Sequence, residues 1–88
     1  MIREAFELKN KLGLHARAAA RLAALLNEAK DDVWVEFAGR RVNGKSILGL
    51  LMLAAPMGSE LFIEAAAGDQ AVVEAVGVMI DNRFGEAE

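Results

Sequence analysis

Eighty-eight residues with thirteen acidic and ten basic side chains, a net charge of -3 and a single histidine bound what this chain can do. The length suits one domain, residues 1–88, with a modest core. The absence of cysteine excludes disulfides and thiolate metal sites, and a lone histidine cannot assemble a zinc site needing several ligands, so neither metal nor cofactor is expected.

A chain without cysteine fits a reducing, intracellular setting. The N-terminus lacks the charged and apolar regions of a signal peptide. The longest apolar run, Ile47 to Pro56, is interrupted by Gly49 and too short to span a bilayer, so a soluble cytoplasmic protein without membrane insertion is expected. Charge is divided unevenly: nine of ten Lys/Arg lie at or before Lys45, whereas seven of thirteen acids follow it. The basic half suits phosphate or acidic partners, and the acidic half aids solubility. Nucleic acid is disfavoured, because the overall balance is acidic and no set of stacking aromatics accompanies the basic residues.

Ile2, Phe6 and Leu8 alternate with Arg3, Glu7 and Lys9, which predicts a half-buried strand over Ile2 to Leu8, with Glu4 interrupting its apolar side. Lys9 to Leu14 is then a loop with Asn10 and Gly13, delivering the chain to His15. From Ala16 to about Ala29 the sequence is rich in the strong helix formers Ala, Leu and Arg. Ala19, Leu22, Ala23 and Leu26 form its predicted buried stripe, while Arg17, Arg21 and Glu28 fall on another face.

That placement puts His15 at a helix N-terminus, where unpaired amides and the positive end of the macrodipole favour anions and disfavour an imidazolium. Arg17 adds a fixed charge on the same side, and Arg21, one turn on, flanks it. Both effects push the ring towards neutral imidazole, a competent nucleophile, and would stabilise a phosphoryl group placed on it. The residues alone therefore predict a phosphate-accepting histidine.

Val33, Val35 and Phe37 alternate with Trp34 and Glu36 in a second strand, with Trp34 on an uncovered sheet face. Ala38-Gly39 makes a hairpin into a third strand, Arg40 to Val42, and Asn43-Gly44 is a further turn. Ser46 can cap the next helix, Ile47 to Leu53. That helix is apolar almost all round, and so short an element cannot bury every face. Leu50 and Leu53 are predicted inside, with parts of Ile47, Leu48 and Leu51 exposed as a docking patch.

Leu61 to Ala65 reads as a fourth strand with little alternation, hence central. The last helix is predicted to start at Gly68-Asp69, with Asp69 as N-cap, Val72, Val76, Met79 and Ile80 as its stripe, and Gly85 as its stop. The order βαββαβα predicts a two-layer α/β architecture, an antiparallel or mixed sheet with the helices gathered on one face.

Gly39 to Ser46 also satisfies the P-loop pattern of nucleotide-binding enzymes. Against that remote reading, Arg40 to Val42 look like strand residues instead of a phosphate cradle, and the chain is too short for a multi-stranded parallel sheet. Nucleotide affinity depending on Lys45 would be its signature.

Gly13-Leu14-His15-Ala16-Arg17 closely resembles the phosphohistidine signature of the HPr family, the histidine-containing phosphocarrier proteins of the phosphoenolpyruvate-dependent phosphotransferase system. Asn43-Gly44-Lys45-Ser46-Ile47-Leu48-Gly49 resembles the family's second motif, about thirty residues on, and the likeness spans essentially the whole chain. The resemblance implies an open-faced α/β sandwich with a four-stranded, mainly antiparallel sheet and three helices on one face. It implies a phosphoryl carrier, not an independent catalyst: enzyme I would charge His15 at Nδ1, and His15 would pass the group to a sugar-specific or regulatory acceptor domain.

On the same grounds, Arg17 and the backbone amides of Ala16 and Arg17 would hold the phosphoryl oxygens. Ile47, Leu48, Leu51 and Arg21 would meet partners, and the protein would act as a monomer. Ser46 matches the family's regulatory serine, which an HPr kinase/phosphorylase modifies in some lineages; phosphate there would put negative charge amid the docking patch. Two positions depart from many members, which carry Pro at Ala18 and Asn at Leu12. A nitrogen-related regulatory phosphocarrier is the alternative within the family.

Overall fold

Alternating side chains make the strands, and the long connections between them set their order. In the computed structural model, which describes residues 1–88, β1 (Ile2–Glu7), β4 (Glu60–Ala65), β2 (Trp34–Phe37) and β3 (Arg40–Asn43) lie side by side in that sequence. Every neighbouring pair is antiparallel, which decides between the antiparallel and mixed sheets left open by the sequence. The register runs from Ile2 opposite Ala65 to Glu7 opposite Glu60, and Val35 pairs with both Val42 and Ile63.

β4 is central, as predicted, but its burial alternates, contrary to the expectation. Leu61, Ile63 and Ala65 are fully buried beneath the helices, while Phe62 and Glu64 share the uncovered side with Trp34 and Glu36. Only one face of the sheet carries helices, so even its middle strand keeps a period of two. The open face is covered by its own side chains: Arg3 pairs with Glu64 at 2.8 Å and Glu36 at 3.4 Å, and Arg41 with Glu64 at 3.0 Å. The same guanidinium groups lie over aromatic rings, Arg3 over Phe62 and Arg41 over Trp34.

α1 (Ala16–Leu26) buries Ala19, Leu22, Ala23 and Leu26 as predicted, together with Ala18. It stops three residues before Ala29, because the Asn27 side chain donates to the Ala23 carbonyl at 2.7 Å and the Lys45 carbonyl at 3.0 Å and turns the chain there. α2 (Ile47–Met52) packs against α1, with Leu50 and Leu53 buried.

Two expectations about the last helix are corrected. α3 spans Gln70–Asp81 after a short 3-10 turn, Ala67–Asp69; Asp69 is its N-cap residue, as predicted, but its side chain makes no cap bond. Its carboxylate accepts instead from the backbone amides of Lys30 at 2.9 Å and Asp31 at 3.1 Å, tying the turn after α1 to the start of α3. Gly85 does not stop α3; the helix ends at Asp81 and Gly85 closes a separate turn, Arg83–Gly85, since Arg83 already has a positive φ of 52°. The buried stripe of α3 is Val73, Val76 and Ile80, with Val72 and Met79 at its half-buried margins. Between sheet and helices lies one core of 20 buried residues.

No helix is long and apolar enough to cross a membrane.

Candidate functional site

The site begins with a glycine that cannot be replaced without strain. Gly13 has φ +64°, and a Cβ there would lie 2.5 Å from the Ala55 carbonyl oxygen and 2.8 Å from Pro56 Cα. The close approach lets the Leu14 amide donate to the Ala55 carbonyl at 2.9 Å while the Leu14 side chain enters the core. Locked there, the loop presents His15 as the N-cap residue of α1, with extended backbone at φ −81° and ψ −178° and its carbonyl accepting from the Ala19 amide.

The imidazole does not cap the helix, so the first-turn amides keep no side-chain partner. The ring is half-buried and lines an open groove of 760 Å³ with Ala16 and Arg17 from α1, Lys11 and Leu12 from the preceding loop, and Gly85 to Glu88. His15, Ala16 and Arg17 thus line one groove. Arg21 turns aside: its guanidinium donates to the Phe84 carbonyl, so it holds the C-terminal segment.

That segment supplies a group the sequence reading missed. Glu86 hydrogen-bonds Nε2 of His15, and its carboxylate also accepts from Asn10 Nδ2 at 3.0 Å. Asn10 is fully buried and donates in addition to the Gly13 carbonyl at 2.7 Å, which couples the two sides of the site. Burial alone would raise the Glu86 carboxyl, but hydrogen bonds from His15 and Asn10 and the nearby Arg17 charge hold it below the ordinary carboxylate range. The expectation for His15 weighed only the cations around it; Glu86 is the anion they face.

Nothing in the local sequence marks Glu86, which is 71 residues from His15. Three consecutive residues with positive φ, Arg83 at 52°, Phe84 at 54° and Gly85 at 79°, turn the chain back, and Phe84 anchors the turn in the core. Lys11 adds an ion pair to Glu88 at 3.4 Å.

Ser46 caps α2 as expected, its Oγ accepting from the Gly49 amide at 3.0 Å. Ile47 is 46% and Leu48 68% exposed, whereas Leu51 is half-buried against the core, so it contributes an edge of the predicted patch and not its centre. Leu12 and Met52 are also exposed, although the sequence reading did not put them on a surface. The nucleotide-binding reading loses its cradle: Arg40–Asn43 are strand residues paired with β2, and Lys45 Nζ donates to the Ala29 carbonyl at 2.9 Å.

An imidazole at a helix N-terminus, beside an arginine and lining an open groove, can take an anionic group onto its free nitrogen. Comparison with known proteins leads the same way. The family described as "PTS HPr component phosphorylation site" matches residues 2–82. The chain is 43% identical over 89 residues to the phosphocarrier protein HPr of Neisseria meningitidis serogroup A, covering 100% of both. It is 46% identical over 80 residues to the phosphocarrier protein HPr of Cupriavidus necator, covering 90% of each. The crystal structure of HPr-C-His from Thermoanaerobacter tengcongensis superposes with a TM-score of 0.92 at 34% identity, covering 100% of each chain. The chain belongs to the HPr family. This is the family of phosphocarrier proteins of the phosphotransferase system.

Proposed function

We propose that this protein accepts a phosphoryl group from enzyme I on Nδ1 of His15 and hands it to a downstream acceptor domain of the phosphotransferase system in the cytoplasm. The observation that carries this reading is the position of the chain's only histidine. His15 stands at the N-cap of α1 with its ring unused for capping and turned to a groove shared with Arg17.

The Nδ1 lone pair attacks phosphorus, the bond from phosphorus to its carrier atom on enzyme I breaks, and that electron pair stays with the donor. The helix amides of Ala16 and Arg17, the macrodipole and the Arg17 guanidinium offset the charge of the arriving oxygens. Transfer onward reverses the same steps, so the protein returns unchanged and turns over nothing by itself. Positioning and electrostatics supply the chemistry.

Partners that reach His15 also meet α2, which packs against α1 and exposes Ile47 and Leu48. Arg21, whose guanidinium is bound to the Phe84 carbonyl, serves that encounter by holding the C-terminal segment beside His15. Phosphorylation of Ser46 by a dedicated kinase would set negative charge beside those two apolar side chains and weaken the encounter with enzyme I.

The test is intact-protein mass after incubation with phosphoenolpyruvate and active enzyme I, with the modified residue mapped under conditions that preserve phosphohistidine. One phosphoryl group on His15, removed by pyruvate and absent from His15→Ala, is the expected result. Arg17→Ala should slow acceptance by about tenfold or more, the worth of a charge-assisted contact made to the transferring group. Modification at another residue, or none, overturns the reading.

A further inference from the structure

Resting on the assignment of His15 as the phosphoryl carrier, we propose that Glu86 is a positioning residue: it accepts a hydrogen bond from Nε2–H and so keeps the Nδ1 lone pair free for transfer. A neutral imidazole carries one N–H donor and one lone-pair acceptor, and a carboxylate can only accept. The nitrogen that faces Glu86 is Nε2, so the ring proton resides there. Nδ1 has no protein partner and is left as the nucleophile.

The carboxylate is held in place at some cost. Arg83 and Phe84 adopt positive φ, a region that side chains with a Cβ disfavour, and the strain is offset by burial of Phe84 and by the Arg21 bond to its carbonyl. Asn10 then fixes the rotation of the carboxylate. Its amide nitrogen faces two acceptors, the Gly13 carbonyl and Glu86 Oε1, which settles its orientation and leaves Oε2 to the ring. Both ends of that bridge belong to the site, since Gly13 sets the loop and Glu86 sets the imidazole. The carboxyl group is also held in its charged form by the same contacts.

The arrangement matches the charge changes of transfer. When Nδ1 bonds phosphorus, the ring keeps its Nε2 proton and gains positive charge, and the Glu86 carboxylate lies against that nitrogen to balance it. When the phosphoryl group leaves, a lone pair of the acceptor forms the new bond to phosphorus, and the phosphorus–nitrogen bonding pair stays with the ring as the Nδ1 lone pair. No proton has to move in either direction.

The proposal is tested by nitrogen-15 NMR of the His15 ring at alkaline pH, where it is neutral, alongside the rate of phosphoryl acceptance from enzyme I. In the wild type the proton is expected on Nε2. In Glu86→Gln, Asn10 continues to donate to Oε1, which turns the new amide NH2 towards the ring; Nε2 must then accept, and the proton shifts to Nδ1. Acceptance should fall by about tenfold or more, as one charge-assisted bond is lost and the nucleophilic lone pair blocked. Glu86→Ala removes the bond without imposing the opposite tautomer and should fall between the two.

Should Glu86→Gln leave the tautomer unchanged, the proposal is overturned even if the rate drops. An altered tautomer with an undiminished rate overturns it as well. Failure of the wild type to become phosphorylated on His15 would strike the functional assignment instead, while the ring spectra would still report whether Glu86 selects the tautomer. Amide spectra of both variants establish that the fold is retained.

Discussion

Gly13→Ala is the change whose cost can be worked most directly from geometry. The new Cβ would stand 2.5 Å from the Ala55 oxygen and 2.8 and 2.9 Å from Pro56 Cα and C, all backbone atoms that cannot rotate away. A Cβ in the left-handed region costs about 1 kcal/mol, displacing the Leu14–Ala55 hydrogen bond about 1 kcal/mol more, and overpacking roughly 1–3 kcal/mol, or about 3–5 kcal/mol together. At about 4–8 °C per kcal/mol for a domain of this size, Tm should fall by at least about 12 °C. Gly39→Ala is the control, because Gly39 has φ +80° with nothing near its missing Cβ. It should lose only the conformational part, about 1 kcal/mol. Thermal unfolding followed by circular dichroism compares the two. Equal losses would refute the argument that close approach of Gly13 to Ala55 locks the loop before His15. Phosphoryl acceptance at a temperature where both variants are folded should also fall further in Gly13→Ala, since His15 lies two residues on.

Ser46→Ala should lower stability by about 1 kcal/mol through loss of its 3.0 Å bond to the Gly49 amide, measured by urea unfolding. Ser46→Asp keeps an acceptor at that position, so it should retain most of the stability yet slow transfer from enzyme I; an unchanged rate would remove Ser46 as a control point. Asp69 is held below the ordinary carboxylate range by the amides of Lys30 and Asp31. Its contribution is therefore fully present above the unfolded value, about 3.9, and is lost as pH falls through the lower folded value. The Tm gap between wild type and Asp69→Asn should accordingly be flat above about pH 5 and close below about pH 4, and a gap independent of pH would contradict the assignment. Leu48→Ala should change stability by less than about 0.5 kcal/mol, since the residue is 68% exposed, while weakening the complex with enzyme I by about 1 kcal/mol or more in titration calorimetry. An unaltered Kd would take Leu48 out of the docking surface.

Much of the fold was legible because its signals are local. Ala38-Gly39 takes φ values of 53° and 80°, the left-handed pair that a two-residue hairpin needs, and Ser46 finds its acceptor role three residues away. The apolar stripe of α1 repeats at helical spacing and is buried where that spacing puts it. His15 was recognisable for the same reason: a glycine turn and a helix start bracket it within a few residues.

The misreadings concern partners far apart in the chain. Asp69 has the chemistry of an N-cap and occupies that place, yet its carboxylate serves amides near residue 30, which only the packing of α1 against α3 brings within reach. Gly85 has the look of a helix stop, but α3 has already ended and the glycine completes a turn that carries Glu86 back to His15. The half-buried Leu51 shows the same limit, since which side of an all-apolar helix meets solvent depends on what lies beneath it.

The sequence by itself determined the strands and helices, the start of α1 at His15, the Ser46-capped start of α2, and the histidine presented to solvent, because short-range sterics and hydrogen bonding act within a turn or two of chain. Only the tertiary structure decided the sheet order, with β4 between β1 and β2, and the closing of the site by Asn10 and Glu86. Those contacts exist because burial of the core brings together segments up to 76 residues apart, and no periodicity along the chain encodes such a meeting.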